Sequence, residues 1–178
     1  TYACDHLEQQ LMPTTTWGTK FVGAKFAPRG SEPDVWRILA HDVPTTLTTT
    51  PSIEGVDGVV LAPGSHLEFE WSSHFLLQAT SPISVGQYMV GADYPGPAGG
   101  CSSSGLFPSA ALDRENCAIA ASDTCSGNQA IGDPAFLLNV PTSQFRESYT
   151  VLVPSDYAET YLNIVAPVDA AVQLDGVE

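Results

Sequence analysis

Positive charge is scarce in this chain. Six Lys and Arg stand against twenty Asp and Glu among 178 residues, a formal charge of -14 with a pI near 4.3. A field of that sign repels phosphate backbones and anionic headgroups, which excludes nucleic acid as a partner. The acidic residues are dispersed and not massed in a tail. They read as a solvated surface, with Ca²⁺ ligation by a few of them as the alternative. No apolar run approaches the ~20 residues of a membrane-spanning helix, so membrane insertion is not expected. No signal segment stands at the front, and Thr1 to Cys4 has the look of a mature or trimmed end.

Catalytic signatures are missing too. There is no G-x-S-x-G elbow, H-E-x-x-H pair, P-loop or G-x-G-x-x-G. Asp5, His6 and Glu8 lie close together, but no serine is marked by its context to complete a triad, and polar packing beside Cys4 is expected. His66 and His74 flank a predicted hairpin. A metal pair there is weighed against two exposed turn histidines, and the second reading is preferred. Glu68 and Glu70 project from one strand face about 7 Å apart, within glycosidase range. Alternation puts them on the solvent side, opposite Leu67, Phe69 and Trp71. Trp17, Trp36 and Trp71 have the spacing of core residues more than of sugar-stacking platforms. No catalytic residue is expected.

Cysteine is sparse but even in number: Cys4, Cys101, Cys117 and Cys125. Without a C-x-x-C pair or Cys/His spacing zinc is a poor fit, so disulfides formed in an oxidising, extracellular compartment are expected. Four cysteines allow three pairings. A link from Cys4 into the later cluster, clamping the N-terminus, is favoured over two local loops.

Helical periodicity is nearly absent, and what fills its place is β-sheet patterning. Short β-branched and aromatic runs recur between Gly, Pro, Asp and Ser. They fall at Thr19 to Ala27, Asp34 to Ala40, Thr45 to Thr50, Val59 to Leu61, Leu67 to Trp71, Phe75 to Thr80 and Ile83 to Gly91. Strand signals resume at Phe136 to Val140, Tyr149 to Val153, Tyr161 to Val165 and Ala171 to Leu174. Asp34 to Ala40 carries apolar residues on both faces and reads as central and covered on two sides. Thr45 to Thr50 reads as an exposed strand. Phe75 to Thr80 reads as the return arm of a hairpin through Ser72-Ser73. Residues 92–133 break the pattern: a long Ser, Gly and Ala-rich stretch holds three of the four cysteines, with a short helix predicted over Ser109 to Asn116. Loops this long are uncommon unless functional or stapled. Asp93, Asp123 and Asp133, with Asn128, are candidate Ca²⁺ ligands there, without EF-hand spacing. No other cofactor is expected. The fold expectation is all-β: one β-sandwich domain over residues 1–178, of about ten mostly antiparallel strands, with one long disulfide-stapled loop insertion at 92–133.

Several phrases, in order and over nearly the whole chain, carry a family likeness. They are Cys4-Asp-His-Leu-Glu-Gln-Gln, Trp17-Gly-Thr-Lys-Phe-Val, Ser31-Glu-Pro-Asp-Val-Trp-Arg-Ile-Leu-Ala, Ile83-Ser-Val-Gly-Gln-Tyr-Met-Val-Gly and Tyr94-Pro-Gly. Gly132-Asp-Pro-Ala-Phe, Val140-Pro-Thr-Ser-Gln-Phe, Tyr161-Leu-Asn-Ile-Val-Ala-Pro and Val172-Gln-Leu-Asp-Gly follow. Together they resemble the N-terminal domain of the IgGFc-binding protein family, which also occurs in secreted bacterial proteins. None of the phrases is a chemical motif. The resemblance implies an extracellular β-rich domain with a binding or adhesive role, often one part of a larger secreted protein. That family usually continues past the Leu-Asp-Gly phrase with further strands, so the chain is expected to be a piece of something larger or to take a strand from a neighbour.

Three functional classes follow. The first is a secreted or cell-surface, non-catalytic binding or adhesion module, recognising an extracellular protein or glycan through the 92–133 insertion, since long loops on a rigid scaffold tend to carry function. The second is a structural subunit of an extracellular filament, sheath or matrix, partnered by copies of itself through an open sheet edge. The third, a surface-polymer hydrolase, would need titratable groups converging in a pocket. The binding module is the expectation.

Overall fold

The computed structural model describes residues 7–28, 32–91, 134–153 and 160–177. Within them, seven strands form an antiparallel sheet: β1 (Gly18–Gly23), β2 (Asp34–Ala40), β3 (Thr45–Thr50), β4 (Val60–Leu61), β5 (His66–Trp71), β6 (Phe75–Met89) and β7 (Ala135–Asn139). Every pairing but two involves β6. Leu76 and Leu77 have Val22 and Phe21 of β1 on one side and Thr50 and Thr49 of β3 on the other. Farther along, Val85 to Met89 lie between β2 and β7. Ile83 faces both Gly18 and Ala40, so β1 and β2 occupy opposite edges of β6. The strand thus runs through two half-sheets, β4-β3-β6-β1 and β5-β2-β6-β7.

These halves are folded against each other. Trp36 is the register partner of Gln87, yet its ring meets that of Phe75, at the far end of β6, edge-on at 4.8 Å. Twelve residues of straight strand would hold those points ~40 Å apart, so β6 bends sharply. The bend falls at Thr80, Ser81 and Pro82, between the segments paired to β3 and β2. Proline is tolerated there because no ladder hydrogen bond is asked of it. The Thr80 hydroxyl accepts from the Thr46 amide at 2.9 Å in place of a ladder bond.

Alternation decides what fills the fold. Phe75, Leu77, Ile83, Val85 and Gln87 of β6 point inward. So do Asp34, Trp36, Ile38 and Ala40 of β2, joined by Phe21, Leu47, Leu61 and the loop residues Ile53 and Val56. Leu67, Phe69 and Trp71 of β5 pack on this core half-buried, with Phe69 and Phe75 at 5.7 Å. Gly23 lies under Phe75, where a Cβ would come within 2.1 Å of the ring.

Polar side chains close the folded sheet at one end. Asp34 receives Lys25 Nζ at 2.8 Å on Oδ1, and the Phe26 amide at 2.9 Å and Gln87 Nε2 at 2.7 Å on Oδ2. Gln87 Nε2 also donates to the Ala24 carbonyl at 2.8 Å. The chain leaving β1 is thereby tied to the start of β2 and the far end of β6.

Several expectations are corrected. The fold is not a sandwich of about ten strands: one sheet of seven, bent through its longest strand, supplies both walls of the core. The runs at Phe75 to Thr80 and Ile83 to Gly91 are one strand, because Pro82 sits at a bend and not at a break. β5 and β6 do not form a hairpin. β5 pairs with β2, and Ser72 to His74 turn the chain to the other wall, so that Phe69 and Phe75 meet edge-on across the core instead of side by side on one sheet face. Thr45–Thr50 is half-buried, since Leu47 is drawn wholly into the core. Tyr149 to Val153, Tyr161 to Val165 and Ala171 to Leu174 form no ladder among the described residues, apart from an isolated bridge between Leu174 and Val177. Strand propensity needs an edge to pair with. The disulfide staple falls outside the described residues. No disulfide is present among the described residues, Cys4, Cys101, Cys117 and Cys125 lying outside them, and the sheet closes on apolar and polar side-chain contacts. The insertion at 92–133, with the helix predicted over Ser109 to Asn116, also lies outside them.

Two outcomes are expected. Phe75→Ala removes the ring that joins the two walls and should cost about 3–5 kcal/mol in urea unfolding. Asp57, in the turn after β3, accepts from the Thr49 amide and the Ser52 hydroxyl, both at 2.9 Å, and these bonds, the amide first, hold its carboxyl below the ordinary aspartate value of 3.8. A depressed folded value contributes stability that is complete above the ordinary one and lost as pH falls through the folded one. Thermal melts below pH 3.8 should therefore drop more steeply for the natural chain than for Asp57→Asn.

Candidate binding surface

Among the described residues, the groups with catalytic potential are not brought together. His66 begins β5 opposite Leu39, while His74 stands in the turn beyond the other end of β5 and accepts from the Lys25 amide at 3.1 Å. Glu68 and Glu70 lie on the exposed face of β5. His41 contacts Asp42 at 2.6 Å and the edge of Trp17 at 5.6 Å. Asp5 and His6 lie outside the described residues, as do Asp93, Asp123, Asn128 and Asp133. Among the described residues no group of three or more His, Cys, Asp or Glu is placed to hold a metal ion. A shallow cleft beside Trp17, lined by Met12, Phe21, Ile83, Leu138 and Pro141, has no titratable side chain in its walls. Of the three tryptophans, Trp36 is fully buried, Trp71 is packed on the core, and Trp17 is half-buried with Nε1 donating to the Met12 carbonyl at 3.0 Å.

The outer face of β5-β2-β6-β7 carries a different arrangement. Strand register puts Glu68 beside Arg37, Arg37 beside Gly86, and Tyr88 beside Phe136. Arg37 donates from Nε and Nη2 to Glu68 Oε2 at 3.0 and 2.5 Å, and from Nη1 to the Tyr88 hydroxyl at 3.2 Å. Its guanidinium lies 5.2 Å from the Tyr88 ring centre, within cation–π range. Tyr88 and Phe136 stack in parallel at 4.3 Å, 7° apart. Gly86 makes room for them: a Cβ there would sit 2.8 Å from the Phe136 ring. A continuous row of carboxylate, guanidinium and two aromatic rings thus crosses four strands.

This row also lies at the root of the long insertion. Met89 and Ala135 are register partners, next to Tyr88 and Phe136, so both ends of the 92–133 segment spring from adjacent strands beside the stacked rings. Sequence patterning did not single out Arg37. Only the pairing of β6 with β7, across an intervening stretch of more than forty residues, brings Phe136 to Tyr88. Arg37 and Glu68 are each 38% exposed, so their ion pair is expected to contribute ~0–1 kcal/mol and to weaken with salt. A double-mutant cycle with Arg37→Ala and Glu68→Ala, run at low and high ionic strength, checks both points.

Comparison with known proteins gives one match. A family model described as "IgGFc binding protein" matches residues 1–178, the full length of the chain. No curated protein and no solved structure matches it.

Proposed function

The chain belongs to the IgGFc-binding protein family across its whole length and is an extracellular or cell-surface, non-catalytic binding module; we propose that it holds its partner, an extracellular protein or glycan, against the outer face of β5-β2-β6-β7. The observation that carries this reading is the ordered Glu68–Arg37–Tyr88–Phe136 row. Arginine and tyrosine dominate binding hot spots, because each offers a large contact area with directional polar groups. Here they are held in place before any partner arrives, by pairing across a rigid sheet, which lowers the ordering cost of association. The strands that flank residues 92–133 meet beside the rings. The acidic balance of the chain disfavours polyanionic partners. No helix among the described residues is long and apolar enough to cross a membrane.

A panel of secreted glycoproteins, immunoglobulin Fc fragments among them, and a glycan array tested against the immobilised chain would identify a partner. Against whichever probe binds, Tyr88→Ala and Arg37→Ala should each weaken affinity by about tenfold or more, the mark of a hot spot, while melting stays close to that of the natural chain. Val60→Ser, on the other half-sheet, should leave affinity unchanged. Full binding by both face variants would remove this surface as the site.

One observation favours a second reading, a structural subunit that assembles with copies of itself. Val151, Leu152, Val153, Ile164 and Leu174 are all more than half exposed, Leu152 at 92%. They lie in the strand-forming segments that have no ladder among the described residues. Light scattering over a range of concentrations separates the readings. A mass fixed near 18.8 kDa speaks for the binding module, and a mass that grows with concentration and falls back in Leu152→Asp speaks for assembly.

A further inference from the structure

Lys25, Glu32 and Asp34 are all buried, at 6, 5 and 0% exposure. Lys25 Nζ stands 2.8 Å from Asp34 Oδ1 and 3.7 Å from Glu32 Oε1. The other Asp34 oxygen, Oδ2, accepts from the Phe26 amide and from Gln87 Nε2. An amine is therefore held against a carboxyl group away from water, with two donors fixed on the oxygen that does not face it and a second carboxyl beside the amine. This is the arrangement that amide formation requires. We infer that Lys25 and Asp34 become joined by an intramolecular isopeptide bond, formed by the folded chain itself, with Glu32 as the proton relay.

The atoms balance without any co-reactant. The facing ammonium and carboxylate first become amine and carboxylic acid by proton transfer between them. The Nζ lone pair then attacks Asp34 Cγ, forming the N–C bond, and negative charge develops on Oδ2. There the Phe26 amide and Gln87 Nε2 are already aimed, as an oxyanion hole requires. Glu32 takes the proton released from Nζ and delivers it to Oδ1. The Cγ–Oδ1 bond breaks and Oδ1 leaves as water. An ammonium and a carboxylate have become one secondary amide and one water molecule. Oδ2 survives as the amide oxygen with both of its hydrogen bonds, and the new N–H remains beside Glu32.

Three physical effects drive the step. Contact distance replaces a bimolecular encounter with a unimolecular one. Exclusion of water disfavours the reverse hydrolysis. Two buried charges, costly to keep in a medium of low dielectric, are replaced by a neutral amide. The bond links the segment leaving β1 to the first residue of β2, and hence one half-sheet to the other. It goes beyond the binding role and stands without it.

Mass spectrometry of the purified, reduced chain tests this. The intact mass is expected to fall short of the sequence mass by one water. Trypsin should fail to cut after Lys25, leaving residues 21–29 joined to residues 30–37. Glu32→Gln should restore the full mass while circular dichroism still reports a folded sheet. Because breaking a buried charge pair destabilises a fold, the peptide map of the natural chain decides by itself. A full intact mass with separate peptides 21–25, 26–29 and 30–37 from folded protein would overturn the cross-link and leave an ordinary ion pair. A water loss that maps elsewhere overturns it equally.

Discussion

A straight strand of fifteen residues would run ~50 Å, and β6, fifteen residues long, does not. Its two ends are brought to the same core by a bend at Thr80 to Pro82, and the remaining elements take their places from that bend. β1 and β3 flank the first half, β2 and β7 the second. The inward residues of both halves then face one another, so that Phe75, Trp36 and Phe69 make a single aromatic contact set. One sheet folded in this way buries two apolar walls without a second sheet to supply the other.

Folding a sheet on itself brings strand ends together, and strand ends carry backbone groups that must be satisfied. Asp34 meets that need: its two oxygens gather a lysine and the next residue's backbone amide from the segment after β1, and a glutamine from the far end of β6. Burying a carboxylate is costly unless it is paired and hydrogen-bonded, and here it is both. The residues that close the fold are therefore the ones held in reactive contact. The opposite face of the same half-sheet carries the row proposed for recognition. There the register of four strands, with Gly86 clearing the space, aligns Glu68, Arg37, Tyr88 and Phe136.

Much of the strand content was legible from alternation. Asp34 to Ala40 and Thr45 to Thr50 were read with the bounds they have, and the polar–apolar alternation from Leu67 to Trp71 marked a half-buried strand that begins one residue earlier, at His66. Pro82 misled, because proline ends most strands but is harmless where no ladder bond is required. Ser72 to His74 misled in the same manner: a short polar link between two apolar strands predicts a hairpin, but apolar faces can be satisfied equally by stacking across a core. Leu47, a lone large apolar residue in a threonine run, was the one signal that β3 is half-buried, and it is fully enclosed.

The site residues were harder to read for the same reason. Alternation assigns a residue to a face from its immediate neighbours, and with composition it let the sequence determine by itself that the protein is acidic, built of strands, and without a recognisable catalytic motif. Which strands are neighbours depends on contacts distant in sequence, and these are set by how the whole set of apolar faces is best buried. Only the tertiary structure decided that Tyr88 stacks on Phe136 and that Gln87 reaches Ala24 and Asp34. Lys25, Glu32 and Asp34 lie within ten residues of one another, but their meeting out of water was equally beyond local reading. It requires β1 and β2 to end up on opposite edges of one bent strand, and nothing in the ten residues from Lys25 to Asp34 encodes that.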